Sequence, residues 1–342
     1  MNLVTGATGI IGSHVVLELL KRGQSVVASR QTTSDVEKVK NLFSYYSADS
    51  EVLFSKIKWV ELDILDVFSI EDALEGISNV YHCAGLVSFN KKDKKRLTQI
   101  NETGTANIVT ACLTKKNVSL CHVSSIGTIN NLDHILPLTE GVFWKTSGKE
   151  SDYAISKYNG ERQVWRGIEE GLNAVIVNPG VVLSPGFRNQ SSSKLFDSCY
   201  RGSRFYTTGS TGYVAATDVA TVMVDLISNQ LFGNRYILIE NNYTFQHIFN
   251  LIHKSFGKQE PVFNASKLLL QFARIVDRLI SFIRSKDPKI TTALINAAFN
   301  KQLYSGQQVQ ETLGYRFKSV DETIRTICKS YLDLKNQEAS SN

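Results

Sequence analysis

Residues 4–12 read Val-Thr-Gly-Ala-Thr-Gly-Ile-Ile-Gly, with glycines at 6, 9 and 12. An apolar run precedes them at 1–5. Apolar residues at helical spacing follow at 10–22, until Gly23 stops the pattern. A strand that turns through glycines into a helix is the entry to a βαβ unit that binds a dinucleotide. Each glycine then has its own reason. Gly6 permits the tight turn, Gly9 removes a side chain where a pyrophosphate approaches, and Gly12 lets the helix pack close to the sheet. The unpaired N–H groups at the helix start, those of Ile10 and Ile11, are placed for an anion.

The rest of the chain continues in the same alternation. Strand-like segments at 25–29, 58–63, 80–84, 120–124 and 174–178 are separated by helix-like segments at 36–46, 69–75, 103–115 and 152–170. Right-handed crossovers then give a parallel sheet with helices on both faces. The predicted fold is α/β, a Rossmann-type doubly wound parallel sheet with a smaller C-terminal substrate-binding cap. The cofactor domain is expected at 1–180 with a return segment near 213–240, where 217–227 reads as a helix and 235–240 as a strand. The cap takes 181–335, with helices at 244–256, 266–283 and 291–299. A polar, frayed tail is expected at 336–342. Residues 184–212, rich in glycine and serine, read as loops lining a cleft.

The second strand bears on which dinucleotide binds. An acid at its end would take the ribose 2′-OH of NAD. Here the strand ends Val27-Ala28-Ser29-Arg30, and the first acid afterwards is Asp35. Arg30 stands where a 2′-phosphate would lie, with Ser29 placed to add a hydrogen bond. NADP(H) is favoured and NAD(H) remains open. Asp63 and Ile64 are placed at the adenine. Ala84 and Gly85, after the fourth strand, let the chain approach the cofactor.

Residues 153–157 read Tyr-Ala-Ile-Ser-Lys, so Tyr153 and Lys157 share one helix face. A lysine ammonium one turn away, or a cationic nicotinamide, favours the phenolate of a tyrosine whose ordinary pKa is about 10. Such a tyrosine exchanges a proton with an alcohol or carbonyl. His122-Val123-Ser124-Ser125 closes the fifth strand, where a parallel sheet presents ligands, and a serine there can hold a substrate oxygen.

Together these pieces resemble an extended short-chain dehydrogenase/reductase, of the NAD-dependent epimerase/dehydratase superfamily, over nearly the whole chain. The matching stretches are 5–12, Asp63-Ile64, 82–85, 101–105, Ser124-Ser125, 153–157 and Asn178-Pro179-Gly180-Val181. The resemblance implies Tyr153 as general acid/base and Lys157 also on the nicotinamide ribose. It implies Ser125 orienting substrate, with Ser124 as a substitute, and Asn101 structuring the site. Thr8 joins the cofactor residues, and Pro179 and Val181 flank the nicotinamide. Residues 213–220 resemble the family's return segment, with Asp218 starting a helix. Residues 313–317, Leu-Gly-Tyr-Arg-Phe, resemble a C-terminal feature of several branches.

The basic end of the second strand favours a branch resembling dihydroflavonol 4-reductases. Ile126-Gly127 stands where sugar dehydratases carry Asp-Glu, which argues against dehydratase chemistry. The expectation is an NADP(H)-dependent reductase of a ketone or aldehyde on a small organic substrate. A nucleotide-sugar epimerase with tightly bound NAD stays open as the alternative, then a non-catalytic NAD(P)-sensing protein. Helices 103–115 and 152–170 resemble those that pair two subunits in this family, so a homodimer is expected.

Composition removes other classes. The chain has 38 Lys+Arg against 32 Asp+Glu among 342 residues, a net charge of +6, with 42% hydrophobic residues, as in an ordinary globular protein. The densest basic run, Lys91 to Arg96, has no interleaved aromatics, so no nucleic-acid partner is expected and a solvated loop or first helix turn is. The five cysteines and six histidines show no metal-ligand spacing, so no metal is expected, and the cysteine usage suits a reducing, cytoplasmic setting. No leader or transmembrane run is read. Residues 268–283 form an amphipathic helix, for which core packing or a substrate lid is expected ahead of membrane contact.

Overall fold

The computed structural model describes residues 1–115, 117–129, 136–148, 150–187, 193–284, 287–288 and 290–340. The first half is β1 (Asn2–Thr5), α1 (Ile10–Lys21), β2 (Val26–Arg30), α2 (Glu37–Ser44), α3 (Ser50–Ser55), β3 (Lys58–Glu61), α4 (Val67–Ala73), β4 (Asn79–His82), α5 (Lys94–Leu97), α6 (Gly104–Thr114), β5 (Ser119–Val123), α7 (Asp152–Glu169) and β6 (Ala174–Pro179). The second half is β7 (Val181–Leu183), α8 (Ser193–Tyr200), β8 (Phe205–Tyr206), β9 (Ser210–Ala215), α9 (Ala216–Ser228), β10 (Arg235–Leu238), β11 (Asn241–Thr244), α10 (Phe245–Ser255), β12 (Phe263–Asn264), α11 (Lys267–Ile283), α12 (Thr292–Phe299), α13 (Gln307–Leu313) and α14 (Val320–Ser340).

Seven strands form one sheet in the order β3-β2-β1-β4-β5-β6-β10, every neighbouring pair parallel. The chain winds outward from β1 in one direction and from β4 in the other, so this is the doubly wound α/β fold expected from the alternation. Ligands of such sheets bind at the carboxyl ends of the strands where the order reverses, here between β1 and β4. Helices cover both faces, so the central strands are buried on both sides and successive residues pack against opposite layers. Val4, Ala28, Tyr81, Cys121 and Val175 pack beneath α1 and α9, while Leu3, Val27, Val80, Leu120 and Ile176 pack beneath α4, α6 and α7. The segment 235–238 rejoins the main sheet beside β6.

A second core joins β7, β9, α8, α10 and α14 through Leu183, Phe196, Tyr213, Ile248, Ile252, Ile324 and Ile327. The helix expected at 266–283 forms, but its apolar side is not packed: Leu268 is 77% exposed and Phe272 66%. The expected core packing of this face is therefore corrected. Lys91 to Arg96 does open a helix, through a 3₁₀ turn at Lys91–Asp93 capped by the Asn90 side chain. Of the expected tail, 341–342 lie outside the described residues, and α14 continues to Ser340.

Candidate active site

α7 starts behind Ser151, whose side chain accepts the Ala154 N–H. The helix carries Tyr153, Lys157 and Glu161 at successive four-residue steps, so all three face the carboxyl end of β5 and β6. β5 ends at Val123, and Ser125, in extended backbone, caps a 3₁₀ turn at Ile126–Thr128 by accepting the Gly127 N–H at 3.1 Å. The Ser125 hydroxyl lies beside the Tyr153 phenol, close enough to act on its ionisation. Burial raises the Tyr153 pKa above the ordinary phenol value, and the Ser125 hydroxyl pulls it back down. Lys157 Nζ donates to Val123 O at 2.8 Å, and burial lowers its pKa to about 8. The Ser125 hydroxyl thus favours the phenolate in this geometry, while the Lys157 ammonium is engaged with a backbone carbonyl.

Ser124 lies apart from this pair. Its hydroxyl donates to Glu161 Oε2 at 2.6 Å. The same carboxylate oxygen accepts Thr128 Oγ1 and Asn178 Nδ2, both at 2.9 Å, while Oε1 accepts Arg235 Nη1 at 2.9 Å. Glu161 is 1% exposed, so this network ties β5, β6, β10 and α7 together beneath the site. Sequence reasoning missed Glu161. Its signal was the four-residue step continued from Tyr153 and Lys157. Arg235 carried no local signal, because its partner is far along the chain.

Asn101 sits in a π-helical stretch, Thr98–Thr103, between α5 and α6. Such an insertion turns side chains out of α register and recurs at functional sites. The Asn101 side chain donates to Leu86 O at 2.9 Å and to Ser156 Oγ at 2.9 Å, and accepts Leu86 N–H at 2.8 Å. It thereby clamps the loop after β4 to α7. A Cβ on Gly85 would stand 3.0 Å from Lys157 Nζ, so the lysine runs directly under that loop. Phe89, from the same loop, meets the Tyr153 ring edge-on with centroids 5.7 Å apart.

The glycine turn lies where the sheet order reverses. Gly6 has φ +63°, and a Cβ there would sit 2.7 Å from the Ala84 backbone. A Cβ on Gly12 would lie 2.2 Å from Gly6 O. Gly9 caps α1 with no side chain to take the helix N–H groups, which leaves those of Ile10 and Ile11 for an anion. Thr8 reaches Ser34 Oγ at 3.5 Å, closing the loop after β2 onto the turn. Ser29 Oγ accepts the Gly6 N–H at 3.1 Å. Beside it the Arg30 Nε is buried without a hydrogen-bond partner, a cation ready for an anionic oxygen. Asp63 Oδ1 accepts Leu65 N–H, and Ile64 packs at Gly104, where a Cβ would meet it at 2.4 Å. Pro179 closes β6 and Val181 opens β7, half-buried. These residues suit a dinucleotide: glycines where a chain approaches, free helix N–H groups, and an unpaired guanidinium.

The other candidates divide. Asp218 begins α9, and its carboxylate accepts Tyr315 OH at 2.9 Å and Lys318 N–H at 2.8 Å, so the return segment and residues 313–317 form one contact. Elsewhere, Trp144 stacks on Tyr158, centroids 4.5 Å apart, and Phe187 is buried near Tyr45 and Phe196. Among the described residues no group of three or more His, Cys, Asp or Glu is placed to hold a metal, and the five cysteines are free thiols.

Fold and site together define a nicotinamide-dependent enzyme of the extended short-chain dehydrogenase/reductase kind. The model of the NAD dependent epimerase/dehydratase family matches residues 2–237, and the chain belongs to that family. Sterol demethylase protein B of Methylococcus capsulatus is 28% identical over 264 residues, covering 76% of this chain and 75% of the relative. Dihydroflavonol 4-reductase of Callistephus chinensis is 28% identical over 263 residues, covering 73% of this chain and 71% of the relative. Among solved structures, yeast methylglyoxal/isovaleraldehyde reductase complexed with NADPH shares the fold, with TM-score 0.75, 19% identity, and coverage of 98% and 99% of the two chains.

Proposed function

We propose that this protein is an NADP(H)-dependent carbonyl reductase that converts a ketone or aldehyde of a small organic substrate to the alcohol. The observation that carries the reading is the Ser125–Tyr153 hydroxyl pair at the end of β5, with Lys157 buried one turn along α7. Similarity to dihydroflavonol 4-reductases supports a reductase over an epimerase. NADPH, when bound, supplies the hydride that adds to the carbonyl carbon.

Every other element of the reaction is the chain's own. Ser125 holds the carbonyl oxygen, and the Tyr153 phenol donates its proton to that oxygen as negative charge develops there. Burial keeps the phenol protonated before transfer, and the Ser125 hydroxyl eases loss of the proton. Lys157 holds the nicotinamide ribose. The N–H groups of Ile10 and Ile11, with Gly6, Thr8, Gly9 and Gly12, take the pyrophosphate. Arg30 takes the 2′-phosphate, Asp63 and Ile64 the adenine, and Ala84, Gly85, Pro179 and Val181 line the nicotinamide side. Residues 1–180 with the return segment 213–240 form the cofactor half, the rest of 181–335 mainly the substrate half, and the outer faces of α6 and α7 the contact of a homodimer.

The test is cofactor consumption over a panel of carbonyl and sugar-nucleotide substrates, with NADPH and NADH compared, on wild type and Tyr153→Phe. The reading expects NADPH-dependent reduction of a carbonyl, abolished in Tyr153→Phe with NADPH affinity retained. A co-purifying NAD with no net consumption of added cofactor would establish the epimerase instead. Full turnover in Tyr153→Phe would remove the tyrosine from its role.

A further inference from the structure

We infer that α11 is a membrane-docking helix that lies flat on a bilayer containing anionic lipid. The inference is independent of the reductase reading. The helix is inverted relative to an ordinary surface helix. Its polar side faces the protein: Arg274 Nη1 donates to Thr292 Oγ1 at 2.7 Å, Asp277 accepts the Ile290 N–H at 2.9 Å, and Ser281 is 7% exposed. Its apolar side faces outward, with Leu268 at 77%, Phe272 at 66%, Ile275 at 53% and Leu279 at 60% exposure. Those four residues fall at i, i+4, i+7 and i+11, which is one continuous stripe. A stripe of this kind marks an interaction surface.

Charge selects the occupant. On and just after the helix, Lys267, Arg278 and Arg284 are exposed and basic, whereas Arg274 and the helix's one acid, Asp277, turn to the protein. A second copy of the same surface would bring two such clusters together. An anionic headgroup layer is complementary to it, and an apolar stripe flanked by Lys and Arg is what an interfacial helix presents. Phe263, just before the helix, is 48% exposed and carries Arg204 over its ring at 5.5 Å, which adds an aromatic and a cation at the same end. Among the described residues no helix is long and apolar enough to cross a membrane, so α11 lies on the surface and does not span it. Beyond the helix, Asp287 pairs with Lys92 in the turn that follows Phe89, which ties the segment after α11 to the loop beside the site.

The experiment is flotation of the purified full chain with vesicles of phosphatidylcholine alone and of phosphatidylcholine mixed with phosphatidylserine. The protein is expected to float with the mixed vesicles, and to be released from them by salt. Phe272→Ser with Leu279→Ser should lower the partition coefficient by about a hundredfold, since two buried apolar side chains are lost. Arg278→Glu with Arg284→Glu leaves the apolar stripe untouched and should lower it by about tenfold or more on mixed vesicles. Both pairs keep wild-type melting if the residues serve only docking. Absence of flotation with either vesicle overturns the inference, and equal flotation with both overturns the anionic-lipid assignment. A dimer dissolved by Phe272→Ser with Leu279→Ser, without vesicle binding, assigns the stripe to a second copy.

Discussion

Ser124 Oγ donates to Glu161 Oε2 at 2.6 Å, whereas the neighbouring Ser125 hydroxyl meets Tyr153. Two adjacent serines therefore face different partners, and the proposed reaction asks different things of them. Ser125→Ala should lower kcat by about 10²–10³-fold, the scale for loss of one donor to a developing oxyanion. Ser124→Ala should keep kcat near wild type while costing about 1–3 kcal/mol of stability, because a buried carboxylate loses a donor. Steady-state kinetics and urea denaturation on both variants check this. Equal loss of kcat in the two would show that the serines are interchangeable.

The Glu161–Arg235 pair gives a second expectation. Both side chains are nearly out of solvent, at 1% and 12% exposure, and Arg235 also donates to the Glu140 and Val142 carbonyls. Removing one partner of a buried pair leaves the other charge uncompensated, at a cost of about 3–5 kcal/mol. Arg235→Met should show that loss in urea denaturation. Combining it with Glu161→Gln should cost less than the sum of the two changes, since the second no longer strands a charge. An Arg235→Met protein as stable as wild type would mean that the pair contributes nothing.

Arg30 bears on cofactor choice. Its Nε is buried and unpartnered at the end of β2, beside the glycine turn. Charge-assisted hydrogen bonds to a phosphate are worth about 1.5–3 kcal/mol, so Arg30→Ala should raise KM for NADPH by about 10–100-fold. NADH lacks the 2′-phosphate, and its KM should hardly move. The ratio of the two kcat/KM values is the measurement. An unchanged ratio would place Arg30 outside the cofactor site.

What was legible in the sequence follows from how local each signal is. The glycine turn, the alternating strands and helices, and the Tyr153–Lys157 step are all written within a few residues, and the sheet they implied is present. Motif position favoured Ser125 and kept Ser124 as a substitute; that Ser124 is held by Glu161, a partner in another element, was not legible. Arg235 meets Glu161 across 74 residues of chain, so no window contains the pair. α14 was not anticipated although Val320, Ile324, Ile327 and Cys328 keep helical spacing, and for α11 the same spacing led to an expectation of core packing or a substrate lid. Periodicity says that a helix has an apolar side. It does not say which way that side is turned.

The buried titratable groups predict opposite pH windows. Burial lowers the pKa of His82 to about 3 and of His14 to about 4, each from 6.5. Below pH 6.5 the unfolded chain binds protons that the folded chain refuses, so stability falls as pH drops from 6.5 toward 4. Each histidine contributes at most about 1.4 kcal/mol per pH unit. Lys157 acts at the other end, because burial lowers its pKa from 10.5 to about 8. Between those values the folded chain holds fewer protons than the unfolded one, so this group makes stability rise with pH from 8 to 10.5. Other groups titrate in the same range, so the measurement is a difference: urea stability of wild type minus that of Lys157→Met, followed across pH. The difference should climb through that window and level off above it. A flat difference would mean that Lys157 keeps an ordinary pKa, and with it a charge that solvent or the Val123 carbonyl fully supports.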